Sequence, residues 1–236
     1  MSTVIKEFSR FAHQYDKHNE IQARVAKRLV EKVPKKHYSS ILDMGSGSGE
    51  VCKNVMHQGI SFDLFSAFDS SENMLSLHPQ NKNIKKICGN FNNEGFSTLL
   101  DQKTYDLILS SSALQWSENL DLTLSCMSAL SKRLYAAIFT SNTFKTLHET
   151  ANIDSPIYNA EELERSILKY YPNAHFELHR YTLYFDSTRE MFRYIKKSGV
   201  SSGEKKLSFK ETKRLMEKYP LDYLEFEVLF VEAKNV

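Results

Sequence analysis

The sequence is short of cysteine, and it has no long apolar segment. Its 236 residues include three cysteines, Cys52, Cys88 and Cys126, none of which forms a CxxC pair with another. An odd number of widely spaced cysteines does not make a disulfide framework, so we expect reduced thiols in a cytoplasmic protein and no metal centre. No stretch approaches the roughly 18 consecutive apolar residues of a membrane-spanning helix, and the N-terminal MSTVIKEFSRF lacks the apolar region of a secretory signal. We therefore expect no membrane partner.

The chain also has almost no excess of charge. Lysine and arginine number 31 and aspartate and glutamate 29, so the formal net charge is +2. That value is too small for a protein whose main partner is nucleic acid. Apolar residues make up 41% of the chain and aromatic residues 12%, which is enough to build a full hydrophobic core. The length predicts a single domain over residues 1–236.

Short β-rich segments alternate with helical ones between residues 39 and 141. The candidate strands are SILDM, SFDLFSAF, IKKIC, YDLILSS and RLYAAIFT, and the segments between them place apolar residues at helical spacing. This alternation predicts an α/β fold with a parallel sheet and right-handed crossovers. Ligands of such sheets bind at the carboxyl ends of the strands, so we expect residues 39–141 to form the ligand-binding core.

Two regions flank this core. Residues 1–38 contain a helical pattern that Pro34 ends. Residues 142–222 are mostly helical and hold one long strand candidate, HFELHRYTLYF, and residues 223–236 hold the last one, YLEFEVLFVEAK. Both late strands are long and aromatic, so we expect them to pair at one edge of the sheet. The rest of both flanking regions is predicted to form a helical cap over the site.

The segment ILDMGSGSGE follows the first strand and contains Gly45, Gly47 and Gly49. Glycines at that density let a backbone approach a ligand closely. The GxxxxGK[ST] motif for nucleotide phosphates is absent. The GxGxxG motif of dinucleotide folds fails at its third position, where the carboxylate of Glu50 would repel a pyrophosphate. S-adenosylmethionine has no phosphate and carries two cationic groups, so it suits this loop better.

The pattern apolar-apolar-Asp-x-Gly-x-Gly-x-Gly resembles motif I of the class I methyltransferases. The resemblance implies a Rossmann-like α/β fold, with a mainly parallel seven-stranded sheet whose last strand is antiparallel, and S-adenosyl-L-methionine as cofactor. It also implies that Asp43 braces the loop and faces the amino-acid end of the cofactor. Asp69 lies about 20 residues past the last glycine, where such folds place an acid on the ribose hydroxyls.

Further positions of the same resemblance concern the adenine. Met74 and Phe91 stand where the family packs side chains near that ring, and Asn90 replaces the usual aspartate that accepts from the adenine amino group. The full set of predicted cofactor-binding residues is Asp43, Gly45, Gly47, Gly49, Asp69, Ser70, Met74, Asn90, Phe91 and Ser110.

The segment LILSSSALQW bears on the methyl acceptor. It lacks the Asp/Asn-Pro-Pro-aromatic motif of nucleobase amine methylation and a nucleophilic cysteine, which argues against a nucleic acid substrate. Its Ala113–Trp116 run, ALQW, is similar to the malonyl-acyl-carrier-protein O-methyltransferases of biotin biosynthesis. The N-terminal FSRFAHQYDKHNEIQARVAKRL, the later IKKSGV and the closing YLEFEVLFVEAK are similar to the same family.

This second resemblance implies methylation of the free carboxylate of a malonyl thioester on acyl carrier protein, or on coenzyme A. The product would prime pimelate synthesis for biotin. A malonyl carboxylate is already ionised at pH 7, so the reaction needs no general base. Anion and sulfonium both lose charge in the displacement, which a dry aromatic chamber favours by alignment and water exclusion.

The candidate residues for this step fall into two sets. Those predicted to close or line the catalytic chamber are Tyr15, His18, Gln115 and Trp116. Those predicted to bind the substrate or its carrier are Arg10, Lys196 and Lys197. The lysine-rich residues 194–220 would suit an acidic carrier, although their interspersed acids fit an ordinary charged helix equally well. Two alternatives stay open: a carboxyl or carbon methyltransferase acting on a small molecule, and an S-adenosylmethionine-binding protein without catalysis.

Overall fold

The structure, a computed structural model, describes residues 19–197 and 209–234. In chain order its elements are α1 (Glu20–Glu31), β1 (His37–Met44), α2 (Glu50–His57), β2 (Ser61–Asp69), α3 (Glu72–Leu77), β3 (Ile84–Cys88), a 3₁₀ turn (Phe96–Leu99), β4 (Leu107–Ser111), a second 3₁₀ turn (Leu114–Trp116), α4 (Leu120–Leu130), β5 (Arg133–Phe139), α5 (Lys145–Ala151), α6 (Ala160–Tyr170), β6 (His175–Tyr184), α7 (Thr188–Lys197), α8 (Phe209–Lys218) and β7 (Tyr223–Lys234).

The strands form one seven-stranded sheet in the order β3-β2-β1-β4-β5-β7-β6. Strands β1 to β5 pair in parallel, whereas β7 runs antiparallel to both β5 and β6. The predicted Rossmann-like sheet with its antiparallel last strand is confirmed, and so is the pairing of the two late strands at one edge. Strand addition reverses direction between β1 and β4, which is the switch point where ligands of open α/β sheets bind.

Hydrophobic side chains cover both faces of the sheet. Successive strand residues point to opposite faces, so Ile41 and Leu109 belong to a core with α1 and α2, while Leu42 and Ile108 belong to a second core with α4 and α6. All four side chains are fully buried. Burial on both faces explains why the central strands read as nearly continuous apolar runs.

Helix α1 lies within residues 1–38 and ends shortly before Pro34, as the helical pattern predicts. Ile21, Val25 and Leu29 recur at a spacing of four residues and are fully buried. The helix ends at Glu31 because the next amides, those of Lys32 and Val33, bond to carbonyls only three residues back. Such tightening is common in a last helical turn.

The 142–222 insert consists, within its described part, of four helices and the edge strand β6. Helices α7 and α8 pack on the first core through buried residues that include Met191, Tyr194, Leu215 and Tyr219. Among the residues that the structure describes, no helix has the length and apolar character needed to cross a membrane.

Candidate active site

The glycine loop after β1 has a backbone that only glycine adopts without strain. Gly45, Gly47 and Gly49 have φ angles of +73°, +53° and +87°, in the left-handed region that residues with a Cβ atom avoid. A Cβ atom on Gly45 would also lie 2.2 Å from the Cβ of Ala113, and one on Gly49 would lie 2.4 Å from Pro79 Cδ. The loop is therefore pressed against the ALQW segment on one side and the end of α3 on the other.

Asp69, at the end of β2, ties the glycine loop to the start of α3. Its Oδ2 accepts a hydrogen bond from the Gly47 amide at 2.9 Å, and its Oδ1 accepts one from the Ser71 amide at 2.8 Å. Burial raises the pKa of this carboxyl, while the backbone hydrogen bonds act in the opposite direction. Each carboxylate oxygen accepts about two hydrogen bonds, so acceptor capacity remains for a ligand.

Asp43, at the end of β1, is fully buried and unpaired. Neither of its carboxylate oxygens has a hydrogen-bond partner in the described part of the chain. Burial, and then the charge of Asp69, raises its pKa well above the usual value. The Asp69 carboxylate reaches the loop at Gly47, whereas the Asp43 side chain makes no hydrogen bond to the loop, and the role that the resemblance implies for Asp43 stays a prediction.

Further buried polar atoms at this edge of the sheet lack partners among the described residues. They come from the glycine loop and from the turn after β4, which lies next to it: Ser46 Oγ, Ser48 Oγ, Ser111 Oγ, Ser112 Oγ, Gln115 Oε1 and Trp116 Nε1. Buried polar groups in native proteins are nearly always hydrogen-bonded. Donors and acceptors collected in this way around an unpaired carboxylate fit a polar, cationic ligand.

The remaining predicted cofactor residues lie along the same edge. Met74 is buried, and its methyl group would contact a Cβ atom on Gly47 at 3.4 Å. Asn90 uses its side-chain oxygen on the amide of Asn92 at 2.9 Å, and the partly buried Phe91 packs against the second core. These strand ends therefore bring the predicted adenine residues to one side of the loop.

The two serines of the predicted cofactor-binding set differ in burial and in hydrogen bonding. Ser70 is partly buried in the turn after β2. Ser110 is fully buried, and its hydroxyl donates to the Met44 carbonyl at 2.9 Å. The proton of Ser110 therefore serves to join β4 to β1.

Gln115 and Trp116 form the wall on the β4 side. The Gln115 amide donates to the Ser112 carbonyl at 2.7 Å, which holds a turn whose φ at Ser112 is +59°. Asn92 donates to the Trp116 carbonyl at 3.1 Å, and the Tyr158 hydroxyl donates to the Ser117 carbonyl at 2.7 Å. Hydrogen bonds from Asn92, which follows β3, and from Tyr158 of the insert therefore hold this turn in place.

Comparison with known proteins identifies the family of this chain. Residues 11–199 match a family model described as a methyltransferase domain. The chain belongs to this methyltransferase family. Malonyl-[acyl-carrier protein] O-methyltransferase of Bacillus cytotoxicus is 24% identical over 84% of this chain and 75% of its own length. The enzyme of the same name from Neorickettsia risticii is 24% identical over 96% and 94% of the two chains.

Solved structures show the same fold. The YcgJ protein of Bacillus subtilis superimposes with a TM-score of 0.61 at 10% identity, covering 92% of this methyltransferase and 99% of that chain. Phosphoethanolamine N-methyltransferase 2 of Haemonchus contortus, in complex with S-adenosyl-L-methionine, gives a TM-score of 0.55 at 15% identity, covering 92% of this chain and 53% of that one. The predicted cofactor is confirmed: this is an S-adenosylmethionine-dependent methyltransferase.

The other predicted residues of the methyltransferase remain untested. Arg10, Tyr15 and His18 lie outside the described residues. Lys196 and Lys197 end helix α7, and their side chains are not described. The roles proposed for these five residues stay predictions.

One buried acid of the methyltransferase was not singled out from the sequence. Glu227 on β7 is 2% exposed and accepts hydrogen bonds from Thr140 Oγ1 at 2.8 Å, Asn142 Nδ2 at 2.8 Å and Arg180 Nε at 2.9 Å. Burial acts to raise its pKa, but bonds from Asn142, Thr140 and Arg180 hold the pKa below the usual value. The signal in the sequence was an acid at a buried position of the apolar run YLEFEVLFV.

Proposed function

We propose that this enzyme methylates the free carboxylate of a malonyl thioester on acyl carrier protein, forming the methyl ester that primes pimelate synthesis for biotin. One observation carries the proposal. Ala113–Trp116, the internal segment most typical of the malonyl-acyl-carrier-protein O-methyltransferases, abuts the cofactor loop, since its Ala113 limits Gly45 to a hydrogen. The names of relatives aligned over most of both chains support the same acceptor.

The cofactor side of the site has the residues that would hold a cationic cofactor. The cofactor supplies an electrophilic methyl group on a sulfonium, together with an ammonium group. Asp43 provides the negative charge for that amino-acid end, because its buried oxygens have no other partner in the described residues. Asp69 keeps the loop in place through Gly47 and offers its remaining lone pairs to the ribose hydroxyls.

The adenine side of the proposed site is built less polar than in the family pattern. Met74 and Phe91 would supply apolar surface, Ser70 lies in the turn after β2, and the Asn90 side-chain oxygen already accepts one bond, from the Asn92 amide. Asn90 accepts without charge assistance, and a neutral acceptor is the weaker one. We infer that cofactor affinity depends more on Asp43 and Asp69 than on Asn90.

The acceptor side positions the carboxylate and excludes water. Gln115 is 5% exposed, and with the partly buried Trp116 it would form a wall beside the loop. An acceptor that is already ionised needs alignment rather than a base. Tyr15 and His18 are proposed to close this chamber from the N-terminal side, and Arg10, Lys196 and Lys197 to bind the substrate or its carrier.

A methyl-transfer assay tests the acceptor directly. The substrates are malonyl-carrier protein, malonyl-coenzyme A and free malonate, with labelled S-adenosylmethionine. The proposal expects a strong preference for the carrier-bound thioester, and loss of turnover when residues 1–18 are deleted. Cofactor binding without turnover on any of the three acceptors would contradict it.

Salt dependence tests how the carrier docks. The helix α8 lysines and the residues around 194–220 are proposed to meet an acidic carrier, so added salt should raise the KM for the carrier substrate. The KM for a small malonyl thioester serves as the control and should change little. Equal salt effects on both substrates would place the carrier elsewhere.

A further inference from the structure

The buried acid Glu227 fixes an exposed arginine at the carboxyl edge of the sheet. Glu227 lies on β7 beside the end of β5, where the Thr140 amide donates to its backbone carbonyl at 2.9 Å. The glycine loop and the ALQW turn follow strands that end at this same edge. The side chain of Arg180, on the neighbouring strand β6, is 78% exposed.

Burying a carboxylate in the middle of a sheet is costly unless it is paired and hydrogen-bonded. Here the cost is offset by three donors, since Thr140 and Asn142 both bind Oε1 and Arg180 binds Oε2. Two neutral donors already satisfy one oxygen. The arrangement therefore holds the carboxylate rigid and aims its second oxygen at the guanidinium.

Arg180 uses only part of its donor capacity in this contact. A guanidinium carries five N–H groups in a planar fork, and the pairing that best neutralises a carboxylate is bidentate. The Arg180 side chain binds Glu227 through Nε alone, and its guanidinium makes no other hydrogen bond within residues 19–197 and 209–234. Both Nη groups are left for an oxyanion, in an orientation that Glu227 fixes.

A cleft of about 740 Å³ is lined in part by Asn142, which also donates to Oε1 of Glu227, the carboxylate that Arg180 binds. Two other lining atoms, His148 Nδ1 and Ser155 Oγ, are buried without a partner in the described residues. Tyr158, flanked by lining residues, reaches the Ser117 carbonyl directly after Trp116. The chain segment that lines the cleft is therefore hydrogen-bonded to the residue that follows the ALQW turn.

We propose that Arg180 binds an oxyanion of the methyl acceptor, and that Glu227 is its positioning residue. The inference rests on the proposed function. The oxyanion has two sources in a malonyl thioester on a carrier protein: the malonyl carboxylate, and the phosphodiester that attaches the linker to the carrier. Both are planar or tetrahedral groups of oxygens that a guanidinium binds in bidentate fashion.

The first test measures steady-state kinetics of the full-length enzyme with Arg180→Lys. Lysine keeps a positive charge beside Glu227 but lacks the planar set of guanidinium N–H donors. Folding should therefore be preserved while the bidentate contact with the oxyanion is lost. We expect the KM for malonyl-carrier protein to rise about tenfold or more, with the KM for S-adenosylmethionine and the melting temperature nearly unchanged. Arg133→Gln is the matched control, because Arg133 is exposed at the opposite end of β5.

A second acceptor, malonyl-N-acetylcysteamine, distinguishes the two oxyanions because it has no phosphate. A KM defect on both acceptors assigns the malonyl carboxylate, and a defect on the carrier substrate alone assigns the phosphodiester. Glu227→Gln leaves Arg180 present but no longer oriented, so it should give a smaller rise in KM than Arg180→Gln. Unchanged KM values in Arg180→Lys and Arg180→Gln, with only a lower melting temperature in the latter, would overturn the proposal.

If wild-type enzyme methylates no malonyl thioester, the proposed function has failed, and a binding measurement still decides the role of Arg180. Malonate and inorganic phosphate are titrated by calorimetry into the enzyme loaded with S-adenosylhomocysteine. Binding of either anion that Arg180→Lys weakens about tenfold supports the oxyanion site. Equal binding to the two proteins, or no binding to wild type, overturns it.

Discussion

A Cβ atom added to Gly45 would lie 2.2 Å from the Cβ of Ala113. This places the glycine loop in direct contact with the ALQW segment, which we propose to line the acceptor side. A separation that short lies well inside van der Waals contact, so no side chain fits between the two backbones. In the proposed site, this contact couples the position of the cofactor to that of the acceptor.

Gly45→Ala should lower both stability and cofactor affinity. The left-handed φ of +73° costs a residue with a Cβ about 1–2 kcal/mol, and the clash adds about 1–3 kcal/mol. Gly59→Ala is the matched control, because Gly59 has the same φ of +73° and nothing within 4 Å of the added Cβ. Chemical denaturation of both variants gives their free energies of unfolding, and the difference between the two losses is the cost of the clash.

The double variant Gly45→Ala/Ala113→Gly removes the opposing Cβ. It should recover the part of the free energy of unfolding that Gly45→Ala loses beyond Gly59→Ala. If Gly45→Ala and Gly59→Ala are equally destabilised, the close approach to Ala113 does not exist.

Asp43→Asn should weaken S-adenosylmethionine binding by about 1.5–3 kcal/mol, which is the usual range for a hydrogen bond to a charged group. The apo protein should not lose stability, because the variant removes a buried, unpaired charge. Calorimetry gives the affinity and thermal unfolding gives the stability. Unchanged affinity, or a large loss of stability in the apo protein, would show that Asp43 is paired within the fold.

The raised pKa of Asp43 predicts how pH acts on binding and folding. A cationic ligand binds the ionised carboxylate, so affinity should increase as the pH rises and binding should release protons. The stability of the apo protein changes in the opposite direction. Asp43 holds its proton more tightly in the folded state, so its contribution to stability falls as the pH rises above the pKa of about 3.9 that an aspartate has in the unfolded chain. Calorimetry in buffers of different ionisation enthalpy counts the protons, and Asp43→Asn should abolish this release.

Much of this architecture was predictable because it depends on local pattern. Alternating strands and helices fixed the parallel sheet, and the glycines at 45, 47 and 49 marked the loop that needs left-handed backbone. The nature of the ligand followed from Glu50, which a pyrophosphate would not tolerate. Each inference used residues close together in the chain, where the periodicity of a strand or the stereochemistry of a turn limits the structure.

The roles of the acids were less predictable because they depend on contacts between distant residues. Asp43 and Asp69 both end a strand, and only the geometry assigns the bond to Gly47 to Asp69, 22 residues away. Glu227 and Arg180 are 47 residues apart. Their pairing follows from the register of β6 against β7, which composition and spacing do not determine.

Asp69→Asn should act on stability and on cofactor affinity together. The carboxylate accepts from two backbone amides, those of Gly47 and Ser71, and an asparagine side chain has a single acceptor oxygen. One amide loses its partner, which costs about 1–3 kcal/mol. The melting temperature should fall even without ligand, and the affinity for S-adenosylmethionine should fall further. A variant that loses affinity at an unchanged melting temperature would mean that Asp69 serves the ligand alone.

Gln115→Glu tests the acceptor wall with a side chain of the same shape that no longer donates to the Ser112 carbonyl. A carboxylate at this buried position repels a malonyl carboxylate, so kcat/KM on malonyl acceptors should fall at least about tenfold. The dissociation constant of S-adenosylmethionine should not rise, because added negative charge does not repel this cationic cofactor. Gln102→Glu, at an exposed site, is the matched control and should leave kcat/KM unchanged. If Gln115→Glu retains full kcat/KM on every malonyl acceptor, the carboxylate does not bind beside Gln115, and the ALQW turn has only a structural role.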